Sequence, residues 1–374
     1  MKREIKHYNA DNIINEDADI NIIYGERSNG KSYQIKHKRG VINYLDSVKD
    51  KFNNLITTER RFILLRRFRE EITNEKIEKY FEDVDIEKLT DGKYNCISTY
   101  RKQIFLSSFN SEDGKITRGE KIGYAMALST EQNYAGASFL DVTDIIFEEF
   151  MTRSRYLANE PTKLMNLYAT IDRKRGTTKL WLIGNSISRV CPYIYEWGLH
   201  EIISKQKQGT IETKEIESGD GDSVKLAIEY CESTGVSSHT IGWNKDMMND
   251  GSWQSSPQPH LPKSYKCYKV VFRFIFQFQS FRFISELLQD REEKDKICWF
   301  IYPMNDKKEI KKNQLVISDK VDINPYWQRN IYDITINNDN LKNILSTFRE
   351  DKIFYATDLV GTDFKQVIDF TIRR

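Results

Sequence analysis

The sequence predicts an α/β protein, and two observations carry that prediction. The segment Gly25-Glu26-Arg27-Ser28-Asn29-Gly30-Lys31-Ser32 spells G-x-x-x-x-G-K-S between an apolar strand and a helix. From there to about residue 200, strand-like and helix-like segments alternate, as a parallel sheet covered by helices requires. Ile20–Tyr24 reads as the first strand, Lys31 to about Leu45 as the helix behind it, and Phe62–Leu65 as a second strand. Apolar Ile72, Ile77, Tyr80, Phe81 and Val84 mark a helix. Short strands are expected near Tyr94–Ser98 and Gln103–Leu106, then at Ile122–Leu128 and Val142–Phe147. The next helix has Pro161 near its start and Gly176 beyond its end, and Leu180–Gly184 follows as a buried strand.

Beyond Glu201 the character changes. Ser204–Ser264 is rich in Gly, Ser, Lys and Glu and reads as a linker region with a little structure of its own. Around Tyr265 a new pattern begins. Tyr268–Phe278 and Ile297–Tyr302 are dense in β-branched and aromatic residues, and helix patterns follow at Asn340–Phe348 and from Thr362. A chain of 374 residues is long for one core. The expected division is an α/β domain at 1–203, a linker region at 204–264 and a small second domain at 265–374.

Composition narrows the class. Hydrophobic residues make up 39% and charged residues 30%, which fits a soluble globular chain with a large hydrated surface. A net charge of +2 does not announce a polyanion binder, although 57 Lys and Arg leave room for local basic faces. No apolar run approaches the ~18 residues of a membrane span. Met1-Lys2-Arg3-Glu4 does not open a signal peptide. The five cysteines are scattered without a CxxC pair, so a disulfide or zinc framework is not expected and a reducing cytoplasm is the default.

The Gly25–Ser32 segment has the residues a phosphate cradle needs. Glycines let backbone N–H groups turn inward, and the helix N-terminus behind them favours negative charge. Lys31 is placed to reach the β- and γ-phosphates of ATP, and Ser32 to hold Mg²⁺ with its hydroxyl. Ile145-Ile146-Phe147-Glu148-Glu149 supplies the acidic partner, a buried strand ending in two carboxylates where ligands of a parallel sheet bind. The usual form at that end is Asp then Glu. Glu148, one methylene longer, is assigned to the metal shell, and Glu149 to orienting and deprotonating the attacking water.

Arg173, Lys174 and Arg175 close the helix whose apolar stripe is Leu164, Leu167, Tyr168 and Ile171. They either complement the helix C-terminus or, in the case of the outward Arg173, reach a neighbouring subunit's nucleotide. Asn185, after the Leu180–Gly184 strand, is a γ-phosphate sensor or a turn residue. Arg66, Arg67 and Arg69 contact phosphate, Glu149 or DNA, or form a solvated face, and Arg69 is favoured as coupled to the site.

Together these pieces resemble the genome-packaging ATPase (DNA encapsidation protein) of small podoviruses. The resemblance rests on Ile23-Tyr24-Gly25 with the phosphate loop, Leu65-Arg66-Arg67-Phe68-Arg69, Leu128-Ser129, Ile146-Phe147-Glu148-Glu149-Phe150, Leu164-Met165-Asn166-Leu167, Arg173-Lys174-Arg175, Gly184-Asn185-Ser186 and Cys191-Pro192-Tyr193. It covers about Ile20–Tyr195. It implies a P-loop additional-strand (ASCE) ATPase in a homo-oligomeric ring, typically a pentamer, on the portal of an empty prohead. Such a ring drives double-stranded DNA inward by hydrolysing ATP with Mg²⁺, in the host cytoplasm and with a structural RNA as a further possible partner. It also implies that Arg69 is tied to the catalytic glutamate and that Arg173 acts in trans.

Larger packaging motors carry an RNase H-like nuclease after the ATPase, which needs several carboxylates around two metals. Tyr268–Phe278 contains no acid and does contain Arg273, and Cys298–Tyr302 also lacks one. The second domain is therefore expected to be RNase H-like without nuclease residues. Lys102, Lys115, Arg118 and Lys121 lie in or near hairpin-like loops and are candidates for DNA contact. The alternatives are a helicase-like remodelling ATPase and a nucleotide-binding structural module with little turnover.

Overall fold

The computed structural model describes residues 7–152, 155–217, 223–235, 252–253, 255–278, 281–305, 309–318, 326–328 and 353–372. It divides into two compact units. The first holds Met1–Ile187, Glu201–His239 and Asp246–Ser252, and the second holds Ser188–His200, Thr240–Lys245 and Trp253–Arg374.

The first unit is built on one mixed sheet. Its strands are β1 (Ile20–Gly25), β2 (Arg61–Arg66), β3 (Cys96–Tyr100), β4 (Gln103–Asn110), β5 (Lys115–Ala127), β6 (Val142–Glu148), β7 (Lys179–Asn185), β8 (Thr210–Glu217) and β9 (Ser223–Tyr230). Their order is β3-β4-β5-β2-β6-β7-β1-β9-β8. The run from β5 through β2, β6, β7 and β1 to β9 is parallel, whereas β3, β4 and β8 pair antiparallel at the edges. Parallel strands buried on both faces read as continuous apolar runs, and all of β1 is buried. Because β7 lies between β1 and β6, the ends of these strands converge. Gly25 stands opposite Asn185, and Glu148 opposite Ile183.

Its helices include α1 (Asp11–Asn15), α2 (Lys31–Ile35), α3 (Asn43–Phe52), α4 (Asn74–Tyr80), α5 (Ile86–Leu89) and α6 (Glu160–Asp172). A π-helical turn, Lys36–Ile42, joins α2 to α3 without a break. This run is pinned to the sheet by Asp144 on β6, which is fully buried. It accepts from Arg39 Nε at 2.8 Å, Asn43 Nδ2 at 2.8 Å and Trp181 Nε1 at 2.9 Å. A buried carboxylate needs such partners, because an unpaired one costs several kcal/mol.

Two strands lie where composition suggested a linker. β9 adds to β1 in parallel and β8 folds back on it. The apolar stretch Leu226-Ala227-Ile228 is only three residues long, too short to stand out in a Gly-, Ser- and Lys-rich segment, yet all three are fully buried against β1.

The second unit has its own sheet, in the order β14-β13-β10-β11-β12-β15. The strands are β10 (Tyr268–Phe278), β11 (Phe281–Asp290), β12 (Ile297–Pro303), β13 (Val316–Ser318), β14 (Trp327–Gln328) and β15 (Ile353–Tyr355). β10, β11 and β12 are antiparallel. β13 runs parallel to β10, β14 to β13, and β15 to β12. An aromatic core holds it together: Phe274 meets Trp299 edge-on at 5.3 Å, and Phe276 meets Phe364 at 5.2 Å. Each such pair contributes roughly 0.5–1.5 kcal/mol beyond its buried area. Ser188–His200 belongs here through buried Val190 and an ion pair from Arg189 to Asp363 on the C-terminal helix Asp358–Ile372. The helix expected at Asn340–Phe348 lies outside the described residues. Among the described residues no helix is long and apolar enough to cross a membrane.

Candidate active site

The loop after β1 turns through left-handed backbone at Gly25 (φ 151°), Ser28 (φ 61°) and Gly30 (φ 99°). A β-carbon at Gly25 would also stand 3.1 Å from Cys231 Cβ, so both its backbone conformation and the tight space favour glycine. Arg27 and Ser28 are exposed, and Glu26, Asn29 and Lys31 are buried. The Lys31 ammonium donates to the Glu26 carbonyl and, at 3.0 Å, to Asn29 Oδ1. Burial draws its pKa below the ordinary lysine range, against the opposing influence of Cys231, Glu148 and Glu26. The Glu26 side chain turns out of the loop and accepts from Thr234, at 2.8 Å from its N–H and 2.9 Å from its hydroxyl.

Ser32 and Glu148, 116 residues apart in sequence, meet across the sheet end: Ser32 Oγ donates to Glu148 Oε2 at 2.9 Å. The other oxygen, Oε1, accepts from Tyr80 at 2.6 Å. Burial pushes the Glu148 carboxyl up, and the Tyr80 and Ser32 hydrogen bonds and Arg66 oppose that shift. Tyr80 was read from sequence only as one more apolar position of a helix, and no local signal marked it for the site.

Glu149 follows with φ 57°, a left-handed conformation that costs a non-glycine residue roughly 1 kcal/mol or more. The turn lifts its carboxylate off the strand to an exposed position. There it accepts from Arg66 at 2.9 Å, and Arg66 also reaches Glu71 at 3.1 Å. Arg67 holds the turn from beneath. Its buried guanidinium donates to the carbonyls of Glu149 at 3.1 Å and Phe150 at 2.7 Å, and is bidentate to buried Glu160 on α6. Phe150 in turn fills the space beside Gly184, where a β-carbon would stand 2.9 Å from its ring. Here the structure differs from the expectation for Arg69. That residue is exposed on a short 3₁₀ turn, because the chain leaves the sheet after Arg66 and aims Arg66 and Arg67 at the acidic strand end.

Asn185 ends β7 beside Gly25, and the N–H of Ser186 donates to the Gly25 carbonyl at 3.0 Å. Helix α6 stops at Asp172. Arg173 (φ 51°) and Lys174 (φ 62°) are left-handed, so helical periodicity does not govern where 173–175 point. Arg173 is exposed and donates to the Ala137 carbonyl at 2.7 Å. Arg175 is half-buried, bonding the carbonyls of Leu140 at 2.7 Å and Val142 and Ile171 at 3.0 Å, which is a fastening role.

Among the described residues no three His, Cys, Asp or Glu side chains cluster as a metal centre. A hydroxyl beside one carboxylate suits a hard cation that takes its remaining oxygen ligands from water and phosphate, as Mg²⁺ does. The glycine turns, buried ammonium and helix start have the chemistry that would suit a phosphate.

Behind the loop, Tyr8 bonds Asn29 through its backbone and donates its hydroxyl to buried Glu229 on β9 at 2.5 Å. Burial raises the Glu229 carboxyl to about 7, the Tyr8 hydrogen bond opposing. The unfolded chain ionises this group near the ordinary 4.5 while the folded chain keeps it protonated. Its contribution to stability is therefore full at low pH and is lost as pH rises from about 4.5 to about 7, on the order of 3 kcal/mol in all. Glu229→Gln is expected to flatten that fall, so that denaturant midpoints at pH 5.5 and 8 differ less than in the wild type. An equal fall in both proteins would refute the assignment.

Comparison with known proteins bears on what this site does. A family profile described as Podovirus DNA encapsidation protein (Gp16) matches residues 1–220, more than half of the chain. A DNA packaging protein of Bacillus phage B103 is 29% identical over 202 residues, covering 52% of this chain and 52% of that protein. The DNA packaging protein of Bacillus phage phi29 is 28% identical over 207 residues, covering 53% and 52%. The chain thus spans about half the length of the curated relatives it matches. A chain of the bacteriophage Phi-29 viral genome packaging motor assembly matches with a TM-score of 0.54 at 19% identity, over 98% of this chain and 99% of that one, a likeness of fold.

Proposed function

The chain belongs to the podovirus DNA encapsidation protein (Gp16) family, and on that premise we propose that it is an ATPase that drives double-stranded viral DNA into a preformed prohead. The observation that carries this reading is the meeting of Ser32 and Glu148 across the sheet end, with Lys31 beside Ser32 on the loop and Glu149 next along the acidic strand. In this reading Lys31 grips the β- and γ-phosphates, and Ser32 and Glu148 hold Mg²⁺. The metal, when bound, neutralises charge on the phosphates. Glu149 takes the proton of the attacking water. Arg66 holds that carboxylate between turnovers through a partly exposed pair worth at most about 1 kcal/mol, weak enough to exchange. Asn185 stands beside Gly25 as the polar residue facing the γ-phosphate.

The fold supports the finer assignments. The extra strand β7 between β1 and β6 favours an additional-strand (ASCE) ATPase. In the second unit, three antiparallel strands followed by two parallel ones beside the first favour an RNase H-like arrangement. The strand missed in sequence, β11, does carry two acids: Asp290 at its end pairs with Lys263 at 2.8 Å, and Glu286 lies within it. Glu286 is fully buried and spent on Arg273 Nε at 2.7 Å, Tyr265 at 2.6 Å and Tyr302 at 3.0 Å, which favours a fold without nuclease chemistry.

The DNA grip is assigned to the β3–β4 hairpin tip. There the exposed Tyr100 ring has Arg101 at 5.1 Å and Arg118 of β5 at 4.9 Å from its centre. Lys115 is exposed beside Asp113, and Lys121 is half-buried on Tyr124 at 2.9 Å, so they are weaker candidates. The ring on the portal, its stoichiometry, a bridging RNA and a location in the host cytoplasm and on the prohead are part of the same proposal.

The decisive experiment is ATP-dependent packaging of duplex DNA into purified proheads, scored as nuclease-protected DNA. ATP hydrolysis accompanied by strand separation, with no protected DNA, would favour a helicase-like remodeller. Subunit mixing, read as ATP hydrolysis, tests Arg173. Mixing inactive Arg173→Ala with inactive Glu149→Gln subunits is expected to restore part of the ATPase, since each lends the group the other lacks. No recovery at any mixing ratio would remove action in trans.

A further inference from the structure

We propose that Tyr80 is a positioning residue for Glu148, and that this chain carries glutamate at the metal position because a tyrosine fixes it there. The inference rests on the nucleotide-site reading above and goes beyond it to a residue outside the phosphate loop and the acidic strand.

Glu148 is 5% exposed, and its two oxygens are divided between partners on different elements: Oε2 to Ser32 at 2.9 Å and Oε1 to Tyr80 at 2.6 Å. A glutamate has one more rotatable bond than aspartate, and that freedom must be removed if one oxygen is to stay beside the Ser32 hydroxyl. The Tyr80 hydrogen bond removes it. Tyr80 is itself held. The Lys36 ammonium lies 4.6 Å from the centre of its ring, donates to its carbonyl and pairs with Asp83. Phe81 meets the ring edge-on at 5.0 Å. Lys36 is buried and opens the π-helical turn that continues the helix bearing Ser32. Ser32, Glu148, Tyr80 and Lys36 thus form a closed circuit, and α4 is tied to the phosphate loop through it. A carboxylate one methylene shorter would not span both hydroxyls from the same backbone.

The test is the Mn²⁺ affinity of the ADP complex, read by electron paramagnetic resonance, with ADP affinity in EDTA measured alongside. Tyr80→Phe is expected to weaken Mn²⁺ binding about tenfold, as loss of a partner orienting a metal ligand does, and to leave ADP binding in EDTA unchanged. Glu148→Asp is expected to weaken it as well. Adding Tyr80→Phe to Glu148→Asp should cost nothing more, because the shorter side chain no longer reaches the phenol. Unchanged Mn²⁺ affinity in Tyr80→Phe, or losses that add in the double variant, would overturn the proposal. If Tyr80→Phe does not fold, Glu148→Asp decides alone, and wild-type Mn²⁺ affinity in it counts against the role. Failure of the wild type to bind ADP would instead sink the nucleotide site, a separate outcome.

Discussion

Glu149→Gln is expected to lower ATP turnover about 10³-fold or more while ATP binding persists. A general base contributes typically 10²–10⁴ in rate, and glutamine keeps the size of the side chain but cannot take a proton. The geometry makes Glu149 rather than Glu148 the residue to test. Glu148 is buried and committed to Ser32 and Tyr80, whereas the Glu149 carboxylate is exposed, follows a backbone strained at φ 57° and pairs with Arg66. Strain at one residue of an acidic pair persists only where surrounding contacts impose it. Steady-state phosphate release with equilibrium nucleotide binding checks the prediction. Wild-type turnover in the variant would move the base elsewhere.

Arg67→Ala is expected to destabilise the first unit by about 3–5 kcal/mol, the usual consequence of removing one partner of a buried ion pair. The side chains of Arg67 and Glu160 are 4% and 0% exposed, so Glu160 would be left in a dry site without its guanidinium. Turnover should fall in the same variant at temperatures where it is folded, because Arg67 also holds the Glu149 and Phe150 carbonyls. Arg67→Lys should rescue little, since an ammonium cannot supply the bidentate fork and two further donors at once. Urea unfolding monitored by tryptophan fluorescence measures the loss. A change below about 1 kcal/mol would show that the pair does not hold the turn.

Local chemistry made part of this molecule legible before any coordinates. Gly25, Gly30, Lys31 and Ser32 stand out because their fixed spacing falls on one continuous segment. Ile145–Glu149 does so because an apolar strand ending in acids is a local pattern. β1, β2, β6 and β7 and the apolar end of β5 were visible as apolar runs for the same reason. β11 was missed because Phe281–Asp290 mixes Arg282, Glu286 and Gln289 with its apolar residues, and β9 because its buried stretch is short. Arg66 rather than Arg69 meets Glu149 because where each of these arginines points depends on where the chain bends after β2, which spacing along the sequence does not specify.

The α/β class and the patterns at Gly25–Ser32 and Glu148–Glu149 are thus consequences of residues near one another along the chain. Only the tertiary structure decided that Tyr80 touches Glu148, that Arg66 and not Arg69 meets Glu149, and that Arg67 is locked to Glu160. These contacts join residues 68, 83 and 93 positions apart. Their energy depends on burial and direction, which exist only after the sheet has brought the strand ends together.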